Sequence, residues 1–174
     1  MEYGCIGKKL GHSFSKDIHA LLADYKYELA EIPEDSLSDF MKKADLKAIN
    51  VTIPYKEKVI PFLSYISPEA EAIGAVNTNV NNGGRLSGYN TDFAGMRSLI
   101  LKTGIDPEGK TALILGTGGT SRTAAAVLKS LGAKEIKRVS RSGKDGALTY
   151  DGAYKHYSGA EIIVNTTPAG MSPD

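Results

Sequence analysis

The stretch TALILGTGGTSRTAAAVLKSLG, residues 111–132, limits what this chain can fold into more than any other part of it. Residues 111–115 form an apolar run of strand length. Glycines at 116, 118 and 119 follow at once, and the alanine-rich segment after them predicts a strong helix ended by Gly132. A strand that passes through glycines straight into a helix opens a doubly wound α/β sheet. In such a turn Gly116 permits the sharp bend. Gly118 lets a pyrophosphate approach the backbone, where unpaired N–H groups and the helix dipole receive it. The third glycine of the usual fingerprint falls on Ser121, so the match is GxGGxS and a purely structural glycine turn stays open as the other reading.

About twenty residues past such a loop, a site for NAD offers Asp or Glu to the ribose hydroxyls. This chain has Ser140-Arg141-Ser142 there, with Lys144 close by. Arginine pairs bidentately with phosphate, so the 2′-phosphate of NADP is the expected ligand, with solvated turn residues as the plainer alternative.

Upstream, short strands and helices alternate. Residues 2–7, 27–32 and 48–53 predict strands, the last stopped by Pro54. Ile18, Leu21, Leu22 and Tyr25 predict a helix over 14–25 with Ser15 as its N-cap, and Leu37, Phe40 and Met41 predict a second. A helix at about 69–73 follows Pro68. Asn81-Asn82-Gly83-Gly84, between the runs 75–80 and 85–89, predicts a β-hairpin. Phe93, Met96, Ile100 and Leu101 fall on one face of a helix over 93–102, the expected hinge, which Gly104 stops. Strands are expected again at 135–141 and 161–165. A doubly wound sheet needs more than two or three strands to bury both faces, and the sequence ends at Asp174 in mid-element, so a truncated or partial protein is expected.

The 21 basic and 20 acidic residues leave a net charge of +1, which gives no electrostatic case for a nucleic acid or an anionic membrane as partner. One cysteine, Cys5, excludes a disulfide framework. The N-terminus lacks a signal-peptide core, and no apolar run reaches about eighteen residues. A soluble, cytoplasmic protein without a metal site is expected.

Other segments are opaque to spacing alone. Gly11-His12-Ser13-Phe14-Ser15 reads equally as a polar loop before a helix, Lys56 as a solvated lysine, Asn77 and Thr78 as hairpin residues, and Asp92 as a favourable charge in a helix's first turn.

Taken together, HSFS at 12–15, NVTIPYK at 50–56, AIGAVNT at 72–78, GYNTDFAG at 88–95, GTGGTSR at 116–122 and NTTPAGM at 165–171 occur in the order and proportion of the shikimate dehydrogenases. The chain resembles that family over its whole length. The resemblance implies an α/β protein in which an N-terminal substrate domain, residues 1–103, precedes a Rossmann-like NADP-binding domain, residues 104–174, incomplete at the C-terminus. It implies that Ser13 and Ser15 bind the substrate carboxylate and that Thr52, Lys56, Asn77 and Asp92 line the ring hydroxyls, with Lys56 and Asp92 as the catalytic pair. In that arrangement the amide and the carboxylate take hydroxyl hydrogens. Gly116, Thr117, Gly118, Gly119 and Thr120 would hold NADP together with Ser140, Arg141, Ser142, Lys144 and Thr166.

The implied reaction is reversible reduction of 3-dehydroshikimate to shikimate, in aromatic amino-acid biosynthesis, by a monomer or homodimer. A quinate or dual quinate/shikimate dehydrogenase and a non-catalytic, ligand-binding fragment are the alternatives. Oxidising a secondary alcohol needs a base. Among the histidines, His19 is expected on a helix and His156 in a loop, which leaves His12 as the rival to Lys56. The chain departs from the family at Lys16, Ala20, Gly7-Lys8-Lys9 and Ser140, and the family continues beyond the equivalent of Asp174 with a glutamine that contacts substrate and with further helices.

Overall fold

The computed structural model describes residues 1–11 and 13–170. The chain separates into two compact units, Met1–Thr91 and Asp92–Asp174. The helix read from sequence as a hinge, in a first domain running to residue 103, falls almost wholly in the second unit.

The first unit runs β1 (Tyr3–Gly7), α1 (Ser15–Leu22), β2 (Tyr27–Glu31), α2 (Leu37–Lys43), β3 (Ala48–Val51), β4 (Tyr65–Ile66), α3 (Pro68–Ile73), β5 (Thr78–Asn82) and β6 (Arg85–Tyr89). Its six strands form one mixed sheet of order β2-β1-β3-β5-β6-β4. β1 pairs in parallel with both β2 and β3, and parallel neighbours need a crossover, which α1 and α2 supply. β5 runs antiparallel to β3 and turns back into β6 through Gly83 and Gly84, whose φ of 63° and 88° meet the demand of a two-residue primed turn.

The two faces of this sheet differ. On one, Ile6, Ile49 and Val51 pack with Leu37, Met41, Tyr55, Val59, Val76 and Leu86 into the main core. On the other, the buried cluster is small: Cys5, Leu10 and Tyr27. α1 buries none of its residues, and Phe14, Ile18, Leu21 and Leu22 are exposed. Its limits also correct the sequence reading. Ser15 is the first helical residue, Phe14 holds the cap position with no side-chain cap, and the helix stops before an extended Ala23. The physical reason is Tyr25, whose ring packs on Tyr3 at 4.9 Å between centroids, so the chain leaves the helix early to enter β2.

The second unit contains α4 (Thr91–Lys102) from its second residue on, then β7 (Thr111–Leu115), α5 (Gly119–Ser130), β8 (Glu135–Val139), α6 (Tyr150–Tyr157) and β9 (Ile162–Asn165). Its strands form a parallel sheet of order β8-β7-β9. Ala112, Ile114 and Ile162 pack with Ala124 and Leu128 of α5 and with Met96 and Ile100 of α4. On the opposite face Leu113 and Val139 pack with Ala153 and Tyr157 of α6. That cover stops short of β9, whose Ile163, paired with Leu113, is 64% exposed, so the three strands leave part of one face bare, as the sequence reading expects. His156 lies in α6 and not in a loop, because Thr149 caps that helix by accepting from the Gly152 N–H at 3.1 Å. Among the described residues no helix is long and apolar enough to cross a membrane.

One core position of the first unit carries a cost. Asn79 on β5 is 0% exposed, and neither its amide oxygen nor its nitrogen has a hydrogen-bond partner among the described residues. An unsatisfied buried polar group costs about 1–3 kcal/mol. Asn79→Val, which suits a strand and removes the orphaned amide, should therefore raise the stability measured by urea unfolding by about 1–3 kcal/mol. A loss of stability would mean that an internal water satisfies the amide.

Candidate functional site

In the first unit the residues singled out from sequence collect where β1 and β3 end. Thr52 donates its N–H to the Ile6 carbonyl at 2.9 Å. A Cβ on Gly7 would lie 2.7 Å from the Thr52 Cγ2, so close approach is what requires glycine there. The loop after β1 is tied down by Leu10, whose N–H donates to Glu31 Oε1 at 2.7 Å, and by Ser13, whose N–H donates to the Leu10 carbonyl at 2.9 Å. The Ser15 N–H reaches Ser13 Oγ at 3.4 Å, so these two half-buried serines are neighbours. His12, the rival for the proton, lies outside the described residues.

Backbone bonds join distant parts of the chain at the same end of the sheet. The Val51 N–H donates to the Asn77 carbonyl and the Val76 N–H to the Lys56 carbonyl, both at 2.8 Å, which brings Thr52, Lys56 and Asn77 to one rim. Burial pushes the Cys5 thiol above its usual range, and the charge of Lys56 in part opposes that. Asp92, exposed in the first turn of α4, belongs to the second unit.

Asn77 is buried, and its side chain is held from two sides. Its Oδ1 accepts from the Thr91 N–H at 2.9 Å and from the Thr78 hydroxyl at 3.1 Å, while its Nδ2 donates to Thr91 Oγ1 at 3.0 Å. Two residues to which the sequence reading gives no site role join this group. Asn50 donates to Thr78 Oγ1 at 3.3 Å, and Tyr27 donates to Asn50 Oδ1 at 2.6 Å. Burial pushes the Tyr27 hydroxyl well above the ordinary tyrosine range, Cys5 adds to that, and hydrogen bonding from Ser15 works against it. His19 stacks on the Tyr27 ring at 3.9 Å and hydrogen bonds to Tyr25. These residues, with Tyr3, Ala48, Asn50 and Thr78, line a cavity of about 310 Å³.

In the second unit the glycine loop lies where the winding reverses, since the strands after β7 pair on its opposite sides. Gly116 has φ 113°, its N–H donates to the Val139 carbonyl at 2.8 Å, and a Cβ there would stand 2.7 Å from Thr166 Oγ1. Thr166 donates both its N–H, at 2.8 Å, and its hydroxyl, at 2.7 Å, to the Leu115 carbonyl. Gly118 occupies the N-cap of α5 without a side chain, and a Cβ on Gly118 or Gly119 would meet nothing within 4 Å. That leaves open space in front of the first amides of a helix, the setting in which anions bind. Thr117 and Thr120 are exposed beside it.

Ser121 explains the departure from the fingerprint. It is 0% exposed and donates its hydroxyl to the Gly118 carbonyl at 2.9 Å, so a small residue that bonds back to the loop takes the third glycine's place. At the end of β8, Ser140 Oγ accepts from the Gly143 N–H at 3.1 Å and Ser142 Oγ from the Lys144 N–H at 3.4 Å, forming a tight turn with Arg141, Ser142 and Lys144 exposed. Among the described residues no cluster of three His, Cys, Asp or Glu side chains could hold a metal ion.

A mixed α/β unit whose strand ends gather hydroxyl, amide and lysine groups, followed by a doubly wound unit opening on a glycine loop, is the make-up of a two-domain, dinucleotide-binding protein. Residues 5–79 match the family described as the shikimate dehydrogenase substrate binding domain. The shikimate dehydrogenase (NADP(+)) of Clostridium beijerinckii is 38% identical over 98% of this chain and 69% of its own length. Among solved structures, the chorismate mutase/shikimate 5-dehydrogenase fusion protein of Clostridium acetobutylicum superposes with a TM-score of 0.85 at 35% identity, covering 99% of this chain and 70% of that one. The shikimate 5-dehydrogenase of Thermus thermophilus, solved in complex with NADP(H) and shikimate, gives 0.79 at 30% identity, covering 97% and 69%. The chain belongs to the shikimate dehydrogenase family.

The close contact at Gly116 yields a direct test within the second unit. Gly116→Ala combines a left-handed backbone with a methyl group facing Thr166, a combination that costs on the order of 1–3 kcal/mol. The melting temperature should fall accordingly, and Gly118→Ala, with open space around its Cβ, should change it much less.

Proposed function

We propose that this chain carries the chemistry of an NADP-dependent shikimate dehydrogenase, the reversible oxidation of shikimate to 3-dehydroshikimate in aromatic amino-acid biosynthesis. The observation that carries the reading is the relative named shikimate dehydrogenase (NADP(+)), 38% identical over 98% of the chain. The quinate and dual-specificity readings, and that of a fragment that binds without turnover, have no such support. The protein is proposed to work in the cytoplasm as a monomer or homodimer.

The residues of the second unit fit NADP. Open space before Gly118 and Gly119 suits a pyrophosphate on the first amides of α5, flanked by Gly116, Thr117, Thr120 and Thr166. Ser140, Arg141, Ser142 and Lys144 suit the 2′-phosphate, since a guanidinium and an ammonium attract it where a carboxylate would repel it. When bound, the cofactor supplies or accepts the hydride.

The first unit's residues then act on the substrate. Ser13 and Ser15 donate to its carboxylate and orient the ring, and Thr52 and Asn77 hold ring hydroxyls. Lys56 delivers a proton to the carbonyl oxygen in the reductive direction and takes it back in the oxidative one. Asp92 assists Lys56 as the other member of the pair.

Purified protein given shikimate and NADP should produce reduced nicotinamide, and more slowly with quinate; no turnover with either acid would favour the binding fragment. Arg141→Ala should lower kcat/KM for NADP by roughly ten- to a hundred-fold, the loss of one charge-assisted contact, with NAD almost untouched. An equal loss for both cofactors would place the phosphate clamp elsewhere. Lys56→Ala should reduce kcat by roughly a hundred- to ten-thousand-fold with little change in cofactor binding. A kcat within a few-fold of the parent and a raised shikimate KM would make Lys56 a binding residue and His12 the candidate for the proton.

A further inference from the structure

The side chains that link Tyr27 to Asn77 form a chain whose hydrogen-bond directions are all fixed from one backbone group. A backbone N–H can only donate, so the 2.9 Å bond from the Thr91 N–H identifies the Asn77 atom it meets as the oxygen and settles the orientation of that amide. The Asn77 oxygen can only accept, so the Thr78 hydroxyl hydrogen points to it across 3.1 Å. With its hydrogen committed, Thr78 Oγ1 accepts from its other neighbour, which turns the NH₂ of Asn50 toward Thr78 at 3.3 Å and its oxygen toward Tyr27. Tyr27 must then donate, at 2.6 Å. Thr91, Asn77, Thr78, Asn50 and Tyr27 stand on four different segments of the first unit, and each bond has one possible direction.

We propose that Tyr27 is a positioning residue for the candidate substrate site: by holding the Asn50 amide in one orientation it keeps Thr78 donating to Asn77, so that Asn77 offers a ligand a hydrogen-bond donor and never an acceptor. The Asn77 oxygen is met by three donors, the Thr91 N–H, the Thr91 hydroxyl and the Thr78 hydroxyl, whereas one of the two Nδ2 hydrogens goes to Thr91 Oγ1 and the second has no partner among the described residues. The group Asn77 presents is therefore N–H, which selects an oxygen lone pair of the ligand. This differs from the sequence reading, in which the amide takes a hydroxyl hydrogen. Without the Tyr27 hydroxyl the Asn50 oxygen loses its donor, the Asn50 amide is free to reverse, and Thr78 loses the constraint on its hydroxyl.

The ordering of these amides belongs to the free protein; only its consequence for shikimate rests on the function proposed above. The test uses the full chain labelled with ¹⁵N-asparagine, Tyr27→Phe, Thr78→Val and the double variant. Asn81 is the internal control, since its Nδ2 donates to the Ala44 and Leu46 carbonyls, outside the chain. Tyr27→Phe should shift the side-chain NH₂ signals of both Asn50 and Asn77 and leave Asn81 in place. On a Thr78→Val background the same change should move Asn50 alone. Titration with shikimate should show a Kd raised roughly three- to ten-fold by Tyr27→Phe, and turnover should show the loss in KM with kcat nearly preserved.

If Asn77 ignores Tyr27→Phe, or if Asn81 moves as much as Asn77, the chain does not transmit orientation and the proposal fails. If the amide signals respond as expected but the parent protein binds no shikimate, the positioning stands and the functional reading fails.

Discussion

β1 lies between β2 and β3, and β7 between β8 and β9, with every one of these pairings parallel. Parallel neighbours point their carboxyl ends the same way and are linked by crossovers that return beneath them. Loops that leave the central strand and its partners are thereby forced to one rim within each unit. Thr52, Lys56 and Asn77 meet at one such rim, and Gly116, Ser140 and Thr166 meet at the other. No side chain needs to recruit another across solvent, because the strand pairing has already set their separation.

How much of this was legible in the sequence depends on how local each signal is. The strand, glycine loop and helix of residues 111–132 could be read because every contact that defines them is made within a few residues, and Ser121 bonding back to Gly118 belongs to the same local logic. The hairpin at Gly83 and Gly84 was legible for the same reason. α6 was missed although its signal was present: Thr149 stands at a cap, and Tyr150, Ala153, Tyr154 and Tyr157 recur at helical spacing. β4, two residues long, carries no periodicity to read.

The site was legible only in part, and the missing part is the non-local one. Tyr27, Asn50 and Thr78 sit on β2, β3 and β5, and their partnership exists only through the register that sets Cys5 opposite both Leu29 and Asn50, and Asn50 opposite Thr78. Nothing in their spacing announces it. Asn79 shows the converse: Thr78, one residue before it, bonds to Asn50 and Asn77 on one side of the sheet, while the Asn79 amide, facing the other side, finds no partner among the described residues. Alternation along a strand makes adjacent polar residues such as Thr78 and Asn79 physically different.

α1 brings Ser15 to the rim yet buries none of its residues, whereas the opposite face of the same sheet holds a core of twelve buried side chains. Free energies of local opening follow buried apolar contact, so the two faces of this unit should exchange their amide hydrogens on separate scales. Opening of α1 would uncover the buried Tyr27 ring on which His19 stacks, but need not disturb β1 or β3. Whatever ligand engages Ser13 and Ser15 would then be drawing on a thinly covered segment, and part of its binding free energy would go into ordering that turn.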